Sequence, residues 1–163
     1  MFNKENWKEP ILKNDLKHVL IYGIVFSILA GILGGAFDFL FVYINVRLSI
    51  SLIILSLIIG YMVHRSYSMF HILYPVLTIP FMILGLFISH FTMCVFINGI
   101  ENFFKLFAVG DFYLDFIKSP VSELIIGIQY GIAKDIILGI VNILIYIIAF
   151  VACYFTAKGR GNK

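Results

Sequence analysis

Residues 136–157 of this sequence are IILGIVNILIYIIAFVACYFTA, a run of 22 residues without a charged side chain. A helix needs roughly 20 such residues to cross the ~30 Å hydrocarbon core of a bilayer. Three further uncharged runs, at 18–37, 48–64 and 66–100, contain 20, 17 and 35 residues. Because lipid offers the backbone no hydrogen-bond partner, continuous runs of this length indicate helices rather than the short alternating strands of a membrane barrel.

The composition of the whole chain agrees with this interpretation. Among its 163 residues, 61% are hydrophobic and 13% are charged, and the mean hydropathy is +1.02. Soluble domains contain about 45–50% apolar and about 25% charged residues. The composition therefore excludes an ordinary soluble domain as well as a disordered or collagen-like chain, and it predicts an all-α integral membrane protein.

We predict one transmembrane domain, residues 18–157, built as a bundle of four transmembrane helices. Short turns join the first three spans, which makes these spans sequential antiparallel neighbours. Asn14 or Asp15 is the predicted N-cap of the first helix. The predicted spans are about 18–43, 47–64, 70–97 and 135–156, with a cytoplasmic N-terminal segment at 1–17 and a basic cytoplasmic tail at 158–163.

The basic residues divide unevenly between the two predicted sides of the membrane. Eight lie on the side of the termini and four on the other side, so the positive-inside bias predicts that both termini are cytoplasmic. The net charge of +3 comes mostly from these flanks. We therefore expect contact with the lipid bilayer and no binding of nucleic acid. The eight are Lys4, Lys8, Lys13, Lys17, Arg65, Lys158, Arg160 and Lys163, and the four are Arg47, Lys105, Lys118 and Lys134.

One connection, about residues 100–134, is long, and it predicts an interfacial amphipathic segment between spans three and four. Its hydrophobic residues recur at helical spacing, which is typical of a helix in the headgroup plane. Two interpretations stay open: an aromatic belt that fixes depth, or a surface that binds a partner. The members of this interfacial ledge are Ile100, Phe103, Phe104, Phe107, Phe112 and Phe116.

The helical pattern then continues from Val121 to Phe155, over 35 residues. An unbroken helix of that length would exceed the hydrocarbon core by roughly 20 Å. We expect a bend, a tilt or a protrusion near residues 131–135, and the sequence does not choose between a kink and a straight protruding helix.

Small residues recur every four positions in two places. Such rows let helix backbones approach closely in lipid. We expect packing within the chain, with the two rows facing each other as one arrangement, and association between chains as the alternative. The first row is Gly23, Ser27, Gly31 and Gly35, and the second is Gly127, Gly131, Asp135 and Gly139.

Asp38 is the one carboxylate inside an otherwise apolar span, where a charge costs a few kcal/mol unless it is compensated. Three interpretations are open. Asp38 forms an ion pair with Arg47 across the short turn; or it lines a polar intramembrane site for a cation or proton with His90 and Asp135; or it extends to the interface.

No other pattern indicates chemistry. The chain has no hydrolase, metalloprotease, phosphate-loop or paired-cysteine motif. Cys94 and Cys153 lie at different depths in different spans, which excludes a disulfide between them. Pro75 and Pro80 predict a bend in the third span. We therefore predict a non-enzymatic protein without a metal or another cofactor.

The stretch 23–65 resembles a group of uncharacterised small bacterial membrane proteins. In that group the first span is glycine-rich and the second ends in a Gly-Tyr-x-Val-basic signature, which is GYMVHR at residues 60–65 here. Residues 72–85 and the Ser-Pro pair at 119–120 are also similar to the group, whereas the full apolar run after Asp135 departs from its pattern. The resemblance implies a bacterial inner membrane and no particular activity.

Two functional hypotheses follow. In the first, the chain is an accessory, assembly or immunity-type factor that acts through helix and lipid contacts, with another membrane protein or a second copy as its partner. In the second, it is a small-solute or ion transport component with a polar site around Asp38 and His90.

Overall fold

The computed structural model describes residues 11–44 and 49–159, and the regular structure in these two ranges is helical, with no β-strand among them. This confirms the all-α prediction. The helices are α1 (Lys13–Tyr43), α2 (Ser51–Arg65), α3 (Leu73–Val109), α4 (Asp111–Lys118), α5 (Ser122–Tyr130) and α6 (Ala133–Lys158), with a 3-10 turn (Ser119–Val121) between α4 and α5.

Three helical stretches are long and apolar enough to cross a membrane, namely Lys13–Tyr43, Leu73–Lys105 and Ala133–Lys158. This is consistent with a membrane protein. Helix α2 is apolar but has only 15 residues, or about 22 Å of helix. It packs against α6, α1 and α3, and its inward side chains Leu52, Leu55 and Ile59 are buried.

The first small-residue row joins α1 to α3 within the chain. A Cβ atom at Gly31 would lie 2.6 Å from the carbonyl oxygen of Gly85 and 2.8 Å from the Cβ of Ile88. A Cβ atom at Gly35 would lie even closer to the Ser89 carbonyl oxygen, and one at Gly23 would overlap the ring of Phe81. These glycines let the two backbones touch, which is how helices associate where lipid supplies no hydrophobic driving force.

We expect Gly31→Ala to lower the free energy of unfolding by about 1–3 kcal/mol, because its methyl group would overlap backbone atoms of α3. Gly85→Ala, on the opposite helix, is the matched control. Its Cβ would meet only the side-chain ends of Ile59 and Leu55, at 3.2 Å. Thermal unfolding in detergent measures both, and equal midpoints for the two variants would contradict the close contact.

Helices α2 and α6 are also in close contact, and a buried tyrosine ties their ends together. A Cβ atom at Gly60 would lie 2.7 Å from the carbonyl oxygen of Cys153. The Tyr67 hydroxyl, in the loop after α2, donates a hydrogen bond to the Ala157 carbonyl at 2.6 Å and lies 3.0 Å from His64 Nδ1. Burial raises the pKa of Tyr67 to about 12.

This shift predicts how stability depends on pH at the loop. Because the pKa of Tyr67 is above the ordinary value of 10.0, folding favours the protonated phenol. The stabilisation is complete below pH 10 and is lost as the pH rises towards 12. We expect the thermal midpoint of the native chain to fall more steeply over this range than that of Tyr67→Phe, which lacks the hydroxyl. Parallel pH profiles would contradict this assignment.

Asp15 does not cap α1. The N-cap is Leu12, without a side-chain hydrogen bond, so the prediction of Asn14 or Asp15 is wrong. The Asp15 carboxylate instead accepts hydrogen bonds from the N–H groups of Ser68 and Met69, at 2.9 and 3.1 Å, and from the Ser68 hydroxyl. These bonds tie the start of α1 to the loop between α2 and α3.

The long helical pattern from 121 to 155 is two helices. Helix α5 ends at Gly131, whose φ of 67° is left-handed, and α6 starts two residues later. A Cβ atom at Gly127 would lie 2.5 Å from the Ile136 nitrogen, and Gly139 is packed against Leu124. The second small-residue row therefore joins α5 to α6, and the arrangement in which the two rows face each other is wrong.

The interfacial ledge is not one face of one helix. Helix α3 leaves helical dihedral angles at Gly99 (φ 75°) rather than at a proline. The rings of Phe91 and Phe103 lie 4.5 Å apart, whereas twelve residues of straight helix would separate them by about 18 Å. The chain thus folds back at Gly99, burying Phe103 and Phe112.

Only part of the ledge remains on the surface. Ile100 and Phe104 are 64% and 61% exposed. The Phe112 ring contacts Phe87 of α3 at 5.4 Å. Hydrophobic periodicity predicted all six side chains as one interfacial face, but the turns at Gly99 and Gly110 (φ 87°) direct some of them onto α3 instead.

Candidate functional site

A polar cavity of about 200 Å³ lies where α1 ends and α2 begins. A water molecule occupies about 30 Å³ in the liquid, so the cavity has room for several waters or a small solute. All six helices and the turn between α4 and α5 contribute to its wall. The lining residues with polar side chains are Asp38, Ser49, Ser89, His90, Ser119, Ser122, Glu123, Asn142 and Tyr146.

Asp38 of α1 lines one side of the cavity. Its two carboxylate oxygens accept hydrogen bonds from separate hydroxyls, one from Ser51 at the start of α2 and one from Ser89 of α3, the latter at 3.1 Å. Both serines are buried. One turn before Asp38, Gly34 leaves space for the Ser89 side chain, which lies 3.2 Å from the position of a Cβ atom there. The carboxylate therefore links three helices.

Helix α6 and the segment before it form the opposite side. Asn142 Oδ1 accepts a hydrogen bond from the N–H of Ser49 at 3.3 Å. One turn further along α6, the hydroxyls of Tyr146 and Ser119 lie 3.2 Å apart. The Ser122 hydroxyl donates to the Ser119 carbonyl, also at 3.2 Å. The 3-10 turn thus brings serine side chains to the cavity from a segment that the sequence placed at the interface.

The charges around this cavity are mainly acidic. Asp38 and Glu123 are its carboxylates, and no lysine or arginine occurs among the lining residues in the described part of the chain. Most of the other polar side chains carry a neutral oxygen atom that can coordinate a cation. Carboxylate, hydroxyl and amide oxygens are the ligands that hard cations prefer, so the lining is suited to a small cation rather than an anion.

His90 lines both this cavity and a second one, of about 400 Å³. Four residues line both: His90, Met93, Ser119 and Ser122. The His90 ring lies 5.2 Å from that of Phe112, and its Nε2 lies 3.7 Å from the Cys94 sulfur. Asp115 and Lys118 line the far part of the second cavity. The two cavities therefore adjoin through these four residues, and the second one has charged residues in its lining.

The predicted site residues divide into three groups. Asp38 and His90 line the same cavity. Asp135 does not; it is buried in the first turn of α6, beside α5. Arg47 lies outside the described residues, and so does the predicted ion pair with Asp38. The serines, Asn142 and Tyr146 were missed, although Asn142 is the only amide within the uncharged run 136–157 and could have been singled out.

The cavity does not offer a recognisable transition-metal centre. Within residues 11–44 and 49–159, no group of three or more His, Cys, Asp or Glu side chains could hold a metal ion. Cys94 and Cys153 are both free thiols.

No protein-family model, no curated protein and no solved structure matches this chain. The resemblance to small bacterial membrane proteins therefore stays a prediction.

We expect Asp38→Ala to lower the free energy of unfolding by about 1–3 kcal/mol, because it leaves the hydroxyls of Ser51 and Ser89 without their acceptor. Asp38→Asn keeps an acceptor oxygen and should lose less. Glu101→Ala, which removes an exposed carboxylate from the last part of α3, is the control. Chemical or thermal unfolding in detergent gives the ranking, and an Asp38→Ala variant as stable as the native chain would refute the linking role.

Proposed function

We propose that this chain is a four-span protein of the bacterial cytoplasmic membrane that binds a small monovalent cation beside Asp38, as a component of ion or small-solute transport. The observation that carries the proposal is the position of the carboxylate. It lies in an apolar helix, at the wall of a polar cavity, and its described hydrogen-bond partners are neutral hydroxyls.

The electrostatic argument concerns the cost of a buried charge. A carboxylate removed from water loses hydration that two hydroxyl groups replace only in part. A cation in the cavity would supply the remaining compensation, and the lining oxygens of Ser49, Ser89 and Asn142 could take the place of its hydration shell. In the described part of the chain, the carboxylate inside this apolar helix is compensated only by neutral hydroxyls, which favours a function in which a charged group binds there.

The same lining favours a single positive charge. Divalent calcium is usually held by several carboxylates in a shell of 6–8 oxygens. This cavity has two carboxylates in its wall, and the rest of its oxygens are neutral. A monovalent ion such as Na⁺ or K⁺, or ammonium of similar size, fits both the charge and the space.

The arrangement of the helices supports four spans. Helix α2 lies between α1, α3 and α6, and its apolar run is 17 residues in the sequence. A run of this length is at the lower limit for a transmembrane helix. Basic residues are in excess at the start of α1 and at the C-terminal ends of α2 and α6, which supports cytoplasmic termini. With the termini in the cytoplasm, the cavity would lie towards the outer side of the membrane.

An accessory or assembly factor is the second candidate. It is favoured by the exposed part of the interfacial ledge, Ile100 and Phe104, and by Ile117 of α4, which is 70% exposed. The glycine rows no longer support it, because the chain uses them for its own packing. For this reason we place transport first.

We expect proteoliposomes containing the native chain to take up radioactive Rb⁺, an analogue of K⁺ and ammonium, faster than empty vesicles. Asp38→Asn should lower the uptake at least about tenfold, the effect of losing one charge-assisted contact. Glu101→Gln, at an exposed carboxylate away from the cavity, should leave it unchanged.

Uptake that is equal in the Asp38→Asn and native vesicles would contradict transport through this cavity. Native mass spectrometry of the gently extracted protein then tests the second candidate. A stoichiometric second protein that is lost with Phe104→Ala, but retained with Asp38→Asn, would establish the accessory function instead.

A further inference from the structure

A second polar feature lies at the opposite end of the bundle. There, α1 and α2 leave a cleft of about 320 Å³ between them. Five residues line it: His18, Tyr22, Met62, Arg65 and Ser66. Neither the cavity around Asp38 nor the proposed cation transport involves these residues.

The chemistry of the cleft is opposite to that of the Asp38 cavity. Its lining contains a guanidinium, an imidazole and a phenol, which all donate hydrogen bonds, and it contains no carboxylate. The Ser66 hydroxyl already donates to the Val63 carbonyl at 2.7 Å. Asp15, one turn before His18, accepts hydrogen bonds from Ser68 and Met69 instead. The cleft therefore attracts an anion.

Arg65 is available for such an anion. Its guanidinium carbon lies 5.5 Å from the centre of the Tyr61 ring, a cation–π contact that holds the group without neutralising it. The side chain is exposed, and the described lining of the cleft offers it no carboxylate. A planar guanidinium can bind two oxygens of one phosphate at once.

The depth of the cleft favours a lipid. His18 is the first residue of the uncharged run 18–37, and Arg65 directly follows the run 48–64. Both residues thus lie at the boundary between an apolar helical segment and a polar segment, and such boundaries lie at the level of the lipid headgroups. Deeper along α1, the rings of Tyr22 and Phe26 stack at 6.2 Å, an apolar surface at the level where acyl chains begin.

We propose that this cleft binds the phosphate of an anionic phospholipid headgroup, with Arg65 paired to the phosphate oxygens and His18 and Tyr22 as hydrogen-bond donors. Basic pockets between helix ends on the cytoplasmic side are a known way for membrane proteins to select anionic lipids. Free phosphate shares the recognised chemistry, but it would gain nothing from the aromatic surface below.

The test is native mass spectrometry of the full-length protein in micelles that contain equal amounts of phosphatidylglycerol and phosphatidylcholine. We expect the native chain to retain phosphatidylglycerol in preference. Arg65→Gln should lower this preference about tenfold, the effect of one lost charge-assisted pair. Lys17→Gln is the matched control. Lys17 adjoins His18 and carries the same positive charge as Arg65, but it does not line the cleft.

His18→Phe, which keeps the aromatic shape, is the second variant and should also lower the preference. Equal retention of both lipids by the native chain would overturn the proposal, as would a loss in Lys17→Gln as large as in Arg65→Gln. Displacement of the lipid by millimolar inorganic phosphate would overturn the assignment to a lipid. None of these results depends on whether the chain moves Rb⁺.

Discussion

The close contact between α1 and α3 is the constraint on which the rest of the structure depends. Gly31 and Gly35 put the backbone of α1 against that of α3, and this contact carries Asp38 to within hydrogen-bond distance of Ser89. Helix α2 then adds the Ser51 hydroxyl to the same carboxylate. Larger side chains at the two glycines would separate the helices, and the carboxylate would lose one of its donors. The packing and the polar site are thus two consequences of one row of small residues.

The sequence contains enough information to predict helices, their apolar character and the unusual position of Asp38. Charge spacing alone decides where an apolar helix can run, because lipid excludes charges. It cannot show which serines reach the cavity, since Ser89 and Ser119 come from segments far apart in the chain. Nothing in their spacing distinguishes them from serines that bond to their own helix, as Ser56 does.

The interfacial ledge and the last helices show a second limit. Hydrophobic periodicity identifies an apolar face but does not reveal whether lipid or protein covers it. Phe103 and Phe104 are adjacent, yet the first is 1% exposed and the second 61%. The turn at Gly99 decides this difference, and this glycine sits in a pattern that continues to look helical on either side. The length of the run 121–155 predicts a bend near residues 131–135 but not the form of that bend. The reversal between α5 and α6 follows from a left-handed residue that periodicity does not register.

The central claim is that a monovalent cation occupies the cavity beside Asp38. Anomalous diffraction from crystals of the native protein grown in Rb⁺ tests it most directly, because the ion itself is located. We predict an anomalous peak inside the cavity, within coordination distance of the Asp38 carboxylate, that is absent from crystals of Asp38→Asn. A cavity without a peak in the native crystals, or the same peak in both proteins, would contradict the claim.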